Sequence, residues 1–346
     1  MNATLYRQVV ALQHPIRASF ETHHERTRLF LRIEHDQLWG FGEVSPQPHA
    51  LNGDPGLDDV LDALHLALAR LEQVLSREGE LPHWARVTRL GAATPRDNVA
   101  YSLIEMALLD RELRRNERSI TDVWSPIDDT PEQQTVSLLD EVPWSIGENA
   151  ARVRVKSAPG ALSVLSRDRL SNVRVPVLLD FNCSANNDDE VLELVAAVSK
   201  VAIVDAVEQP FAAGNVVDHG RLAARLEVAL SLDEGVRSVR DLAQIARYGA
   251  ATMVCVKPAR VGGLANARTV IARAKDLGLR VYLGGFFESP YARQVNRALA
   301  NSCVREPSDV GKVAVSASEE STATETSFGV EPSVQTLRGG EALTVL

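Results

Sequence analysis

VRVK at Val153–Lys156 is a short strand-like run that ends on a lysine, and the chain repeats the arrangement five more times. VPVLLD ends on Asp180, AIVDAVEQP carries Glu208, VALSLD ends on Asp233, TMVCVK ends on Lys257 and RVYLGGFFES carries Glu288. These residues are 24 to 31 positions apart. That interval holds one strand, one helix and two loops, the repeat of a βα barrel. A parallel barrel places every strand C-terminus on one rim, so the spacing predicts one mouth holding three carboxylates flanked by two lysines. Taken singly, each residue reads as a solvated loop residue or a helix cap. Jointly, three acids from neighbouring strands repel one another unless a cation lies among them, and an all-oxygen donor set suits a hard ion such as magnesium.

The same logic extends outward to the fold class, α/β, a TIM-like (β/α)7–8 barrel with an N-terminal α+β capping domain. TVSLL, from Thr135, is the expected first barrel strand, and helical stretches such as DDEVLELVAAVSK and LANARTVIARAKDLG separate the later ones. The link from Lys156 to Val175 is short, so its helix is expected to be small. An eighth strand is expected between Val304 and Val315. The first third does not follow the repeat. TLYRQVVAL, TRLFLRIEH and LWGFGEV predict an antiparallel meander, with polar loops at Ala18–Thr27 and Ser45–Gly53. Two helices follow, from Leu57 to about Leu75 and from the Thr94-Pro95 start signal. The expected domains are residues 1–125 (cap), 126–320 (barrel) and 321–346, a C-terminal segment returning to the cap. Within it ASEESTATETS reads as a surface loop and Gly339-Gly340 as a turn.

A chain of 346 residues with 45% apolar content can bury such a core. Its net charge of −9 argues against nucleic acid or an anionic membrane as main partner, and small-molecule chemistry fits better; the carboxylate set at the mouth makes a small-molecule carboxylate the expected substrate. A homo-oligomer is compatible with this. Cys183, Cys255 and Cys303 are widely spaced and suggest neither a disulfide framework nor a zinc site, Cys255 reading as a buried apolar residue. With no secretory leader or long apolar span, a cytoplasmic protein is expected. His23, His24, His49 and His219 have no metal-binding context and read as solvated or substrate-facing loop residues.

An ion held by Asp180, Glu208 and Asp233 would stabilise the second negative charge that appears when a proton leaves the carbon next to a carboxylate. Lys156 and Lys257 would face opposite sides of that substrate. Either can serve as a base only with a lowered pKa, which the positive charge of Arg154, on the same strand face as Lys156, would favour.

Taken together, RVK, LDFN, VEQP, LDE, VKPARVGG and GGFFES resemble the enolase superfamily, specifically its subgroup of muconate-lactonising enzymes, o-succinylbenzoate synthases, dipeptide epimerases and N-acylamino acid racemases. The use of a Lys or His base with magnesium in this superfamily is a general principle. The resemblance covers essentially the whole chain. It implies metal ligation by Asp180, Glu208 and Asp233, catalysis by Lys156 and Lys257, supporting roles for Asn182 and Glu234, and substrate contact from Gly285, Glu288 and Ser289. Arg154 departs from it, standing where a first lysine of a KxK motif is usual, and a guanidinium is planar and always charged. SDVGKVAV lacks the DxD of dipeptide epimerases, which weighs against that activity. The expected activity is a magnesium-dependent o-succinylbenzoate synthase-like lyase of menaquinone biosynthesis. The alternatives are an N-acylamino acid racemase, a cycloisomerase, or a homologue that binds metal and carboxylate without catalysis. A phosphosugar-binding barrel leaves the three carboxylates unexplained. The two polar cap loops, with Phe20, His23, His24 and His49, are expected to close over the mouth.

Overall fold

A computed structural model describes residues 1–18, 21–137, 144–157, 161, 165, 167–310 and 341–344. Seven parallel strands form one sheet: β4 (Glu132–Ser137), β5 (Ala150–Lys156), β6 (Val177–Asp180), β7 (Val204–Glu208), β8 (Ala229–Leu232), β9 (Met253–Val256) and β10 (Arg280–Leu283). Each neighbours the next in chain order, the arrangement of successive crossover connections in a parallel sheet. Among the described residues of the link between β5 and β6, Arg167–Leu170 (α3) is helical; residues 158–160, 162–164 and 166 lie outside the described residues. Ser308 forms a parallel bridge with Glu132 while the Asp309 N–H donates to the Leu283 carbonyl at 2.9 Å. Residues 308 and 309 thus stitch β4 to β10 where the eighth strand was expected; positions 311–315 lie outside the described residues, as do Leu138 and Leu139 of TVSLL, the segment ASEESTATETS and the Gly-Gly turn.

The N-terminal part is an antiparallel sheet of β1 (Asn2–Ala18), β2 (Glu21–His35) and β3 (Leu38–Val44), with β11 (Glu341–Thr344) on the outer edge of β1. One expectation is corrected here. Glu21–Thr27 is not a loop but the first half of β2, paired with β1 through Ala11↔Glu25 and Ile16↔His23. A two-stranded ribbon with solvent on one face needs no apolar alternation, so its polar residues disguised it. Ser19 and Phe20 lie outside the described residues.

Helix α1 (Leu57–Glu78) buries Val60, Leu64, Leu68 and Leu71 at helical spacing. Helix α2 (Pro95–Arg115) starts on a Thr94 side chain that accepts from Asp97 N–H, with proline in the first turn. It is buried almost all round from Val99 to Leu109 because it lies between β3 and the barrel. Gly40 and Gly42 permit this, since a Cβ at either would strike the α2 backbone at Ala107, Arg111 or Leu103.

Glu105 of α2 is fully buried and accepts from the backbone N–H groups of Leu264 and Ala265, the first turn of helix α8 (Leu264–Asp276). Gly263, at φ +111°, has no room for a Cβ beside that carboxylate. Burial pushes the Glu105 pKa up to about 8, against the downward pull of the two N–H donors. A carboxyl whose pKa rises on folding stabilises the fold fully below its unfolded value, and that contribution is lost as pH climbs through the folded value. Stability should therefore fall between about pH 4.5 and pH 8, by an amount on the order of a few kcal/mol. Glu105→Gln should flatten that slope, as chemical denaturation at a series of pH values would record.

Candidate active site

Lys156, Asp180 and Glu208 are the last residues of β5, β6 and β7, and they stand in register: Lys156 pairs with Asp180 and Asp180 with Glu208. Asp233 and Lys257 follow directly on β8 and β9. All five side chains are buried. The rim expected from the spacing therefore exists as one continuous arc, with a lysine at each end.

The arc is organised as two ion-paired halves. Lys156 Nζ donates to Asp180 Oδ2 at 2.5 Å and to Asn182 Oδ1 at 2.9 Å. Asn182 Nδ2 donates on to Glu234 Oε1 at 3.2 Å. In the other half Lys257 Nζ donates to Asp233 Oδ2 at 2.8 Å, and Arg260 pairs with the other Asp233 oxygen. Arg260 is itself gripped by Asp54 through two bonds of 2.8 and 2.6 Å. The Phe286 ring lies over both cations, 4.5 Å from Lys257 Nζ and 5.0 Å from the Arg260 guanidinium carbon. Gln209 orients the Asp233 backbone, its Oε1 accepting from Asp233 and Gly235 N–H at 3.0 Å each.

Glu208 lies between the halves and is satisfied by neither. Among the described residues neither of its buried carboxylate oxygens has a hydrogen-bond partner. Arg154 Nε is 3.1 Å from Glu208 Oε2 without a bonding angle. Burial pushes the Glu208 pKa up to about 8; Arg154 opposes this and Asp180 and Asp233 add to it. Glu234 is likewise raised to about 7, by burial and then by Asp233. Ligand atoms of Glu208, Asp233 and Cys255 come within 4.8 Å of one another. Burial holds the Cys255 thiol far above its ordinary pKa, so it stays protonated and the available donors are oxygens. Two orphaned carboxylate oxygens with a deficit of positive charge fit a hard divalent cation.

Three contacts set the charge balance of these residues. Asp180 does not join the Glu208–Asp233 cluster in this arrangement, because Lys156 holds its Oδ2 and the Asn182 N–H holds its Oδ1 at 3.0 Å. Lys257 does not have a lowered pKa: burial lowers it, but the adjacent Asp233 carboxylate outweighs burial and the net shift is upward. Arg154 does not serve chiefly Lys156, since its own side chain is spread over Glu208, Asp180 at 3.9 Å and Asp309 at 3.5 Å. Among the histidines, His219 is no loop residue. It is buried on helix α5 (Val216–Ala223), bonded to Asn215 O and Phe211 N–H. His23 is buried on β2, and exposed His49 pairs with Glu21 at 2.6 Å.

Gly285, Glu288 and Ser289 lie in the turn from β10 to helix α9 (Pro290–Cys303). Glu288 Oε2 accepts the Phe286 N–H at 2.8 Å, so this carboxylate is turned into its own loop. The cap clamps the same loop. Glu43 of β3 accepts Ser289 N–H at 2.7 Å and Ser289 Oγ at 2.5 Å, and Arg28 donates to Phe287 O at 3.2 and 3.1 Å. Asn52 reaches Asn182 O at 3.1 Å from the other cap loop. Glu43→Ala should lower stability by about 3 kcal/mol, since it leaves the first turn of α9 without its acceptor and takes from buried Arg28 the carboxylate 3.9 Å away. Thermal melting checks the cost, and a KM raised more than kcat is lowered would show the loop's part in holding substrate.

Sequence reasoning missed Asp54, Arg260 and Glu43. Arg260 had a legible signal, lying three residues after Lys257 on the one-turn helix α7 (Pro258–Val261), and so beside it. Asp54 and Glu43 had none, because their partners are more than 200 residues away. Among the described residues no helix is long and apolar enough to cross a membrane.

Residues 165–326 match the enolase C-terminal domain-like family. An N-succinylamino acid racemase of an Amycolatopsis species is 30% identical over 309 residues, spanning 86% of this chain and 82% of that protein. An o-succinylbenzoate synthase of Bacillus subtilis is 27% identical over 312 residues, spanning 86% and 81%. The crystal structure of an enolase superfamily member from Listeria innocua superposes with a TM-score of 0.79 at 19% identity, covering 100% of this chain and 99% of that one. With relatives matched over most of both chains, a parallel barrel and the arc of ionisable side chains on its rim, the chain belongs to the enolase superfamily.

Proposed function

We propose that this protein is a magnesium-dependent lyase that removes the proton α to a carboxylate and eliminates water, in the manner of an o-succinylbenzoate synthase. The observation that carries the reading is the arc itself, two lysines flanking buried carboxylates of which Glu208 has no hydrogen-bond partner among the described residues. Glu208 and Asp233, with Asp180 once it turns from Lys156, would hold the ion; when bound, it supplies positive charge to an enediolate. Lys156 takes the α proton and then delivers a proton to the departing hydroxyl, so one C–H and one C–O bond break and a C=C bond forms as water leaves. Lys257 faces the same anion as an ammonium, a form its contact with the Phe286 ring favours. Asn182 orients Lys156, while Glu234 orients Asn182. Gly285, Glu288 and Ser289 shape the loop against which the substrate rests.

A second reading, an N-succinylamino acid racemase, is favoured by the relative at 30% identity. There Lys156 and Lys257 would serve opposite faces of one carbon. The deciding test is dehydration of the o-succinylbenzoate precursor, followed by ultraviolet absorbance with and without magnesium, with Lys156→Ala as control. Turnover that needs both metal and lysine supports the lyase. Without it, racemisation of N-succinylamino acids in heavy water distinguishes the second reading from a homologue that binds but does not catalyse, which incorporates no deuterium.

A further inference from the structure

Cys255 reads in the sequence as a buried apolar residue, but its place on β9 gives it polar company. Met253, Cys255 and Lys257 alternate with Val254 and Val256, so they share one face of the strand. Met253 Sδ meets Arg152 Nη1 of β5, four strands away in the sheet, so this face points into the barrel. The Cys255 thiol therefore lies one step below Lys257, inside the barrel and fully buried. Gly284, just past β10, makes room for it: a Cβ there would come within 2.6 Å of Cys255 Sγ and 3.0 Å of Lys257 Cε.

The thiol faces Glu208 and Asp233. One ligand atom from each of the three residues lies within 4.8 Å of the other two. Zinc holds oxygen and sulfur at about 2.0–2.3 Å, so the three donors need to draw together by only roughly an ångström to share such an ion. Glu208 is 0% exposed, and among the described residues neither of its oxygens has a hydrogen-bond partner, so this carboxylate is available to a cation without breaking a bond. A thiol offers little to magnesium. Towards a soft ion it behaves differently: coordination sends the thiol proton to solvent and puts a metal–sulfur bond in its place, and thiolate ligands select such ions over magnesium.

This donor set also differs from the three carboxylates in what it asks of Lys156. Asp180 can join an ion only after giving up Lys156 Nζ and the Asn182 N–H. Cys255 stands in for Asp180 without disturbing either contact. We propose that Cys255, Glu208 and Asp233 form a mixed sulfur–oxygen site for a thiophilic divalent ion, zinc or cadmium, and that an ion held there leaves Lys156 in its ion pair with Asp180. The site shares Glu208 and Asp233 with the proposed magnesium set, so the two ions exclude each other. That competition rests on the magnesium reading above, whereas the sulfur site itself does not.

The test is titration of the full chain with cadmium, with and without magnesium, followed by the ultraviolet charge-transfer band that a cadmium–thiolate bond gives and a cadmium–oxygen bond does not. The band should form in the wild type and in the double variant Cys183→Ser/Cys303→Ser, which removes the two half-buried cysteines. It should be absent from Cys255→Ser and from Cys255→Ala, the second variant guarding against a serine that upsets the core. Calorimetry should show cadmium affinity in Cys255→Ser lowered by more than about a hundredfold, beyond the cost of losing a merely supporting group. Glu208→Gln should also weaken the binding that raises the band. A band that survives in Cys255→Ser, that vanishes with Cys183 and Cys303, or that forms equally well in Glu208→Gln overturns the assignment. A band that needs Cys255 and Glu208 yet is indifferent to magnesium counts against the magnesium reading and leaves the sulfur site standing.

Discussion

Replacing Lys156 with Ala should lower turnover by at least about a thousandfold, the upper half of the range for a positioned base, with magnesium affinity nearly unchanged. The two effects separate because Lys156 touches Asp180 and Asn182 but neither Glu208 nor Asp233. Asp180 keeps a counter-charge in the variant, since Arg154 Nε remains 3.9 Å away, so the fold should survive the loss. Turnover by absorbance and metal binding by calorimetry measure the two halves of the expectation. Substantial residual turnover removes Lys156 from the role of base.

Asp233→Asn should weaken magnesium binding by on the order of a hundredfold or more, beyond what loss of a supporting group costs. Asp233 is the centre of its half of the arc, accepting from Lys257 and Arg260 at once. Burial would raise its pKa, yet Arg260 and Lys257 outweigh burial and hold it far below the usual carboxylate range. It is therefore the most securely ionised oxygen donor beside Glu208. In the asparagine variant Arg260 keeps its two bonds to Asp54, but Lys257 loses its counter-ion and its placement. The rise in melting temperature on adding magnesium should shrink or vanish along with turnover. An unchanged affinity would falsify the assignment of Asp233 to the metal and move attention to Asp180 and Glu208 alone.

The two variants probe opposite ends of a pattern that was legible from spacing. One strand and one helix per repeat is a local property, set by apolar runs and helical periodicity, and parallel strands put successive C-termini side by side. Lys156, Asp180, Glu208, Asp233 and Lys257 needed no knowledge of the fold beyond that rule, and neither did the capped start of α2. Which atoms meet is a different matter. Lys156 with Asp180, or Lys257 with Asp233, is a choice among rotamers in a crowded buried arc where every cation competes for every carboxylate, and no interval between residues encodes it.

The cap was harder still. Thr22–Thr27 is strand because β1 supplies its hydrogen bonds, and Glu43 and Asp54 acquire their meaning from barrel residues 246 and 206 positions away. Periodicity in the chain could specify the barrel, its rim and the ionisable residues on it, because those follow from interactions close in sequence. The unpaired oxygens of Glu208 and the Asp54–Arg260–Asp233 relay arise from burial and from contacts across the chain, which no interval between residues encodes.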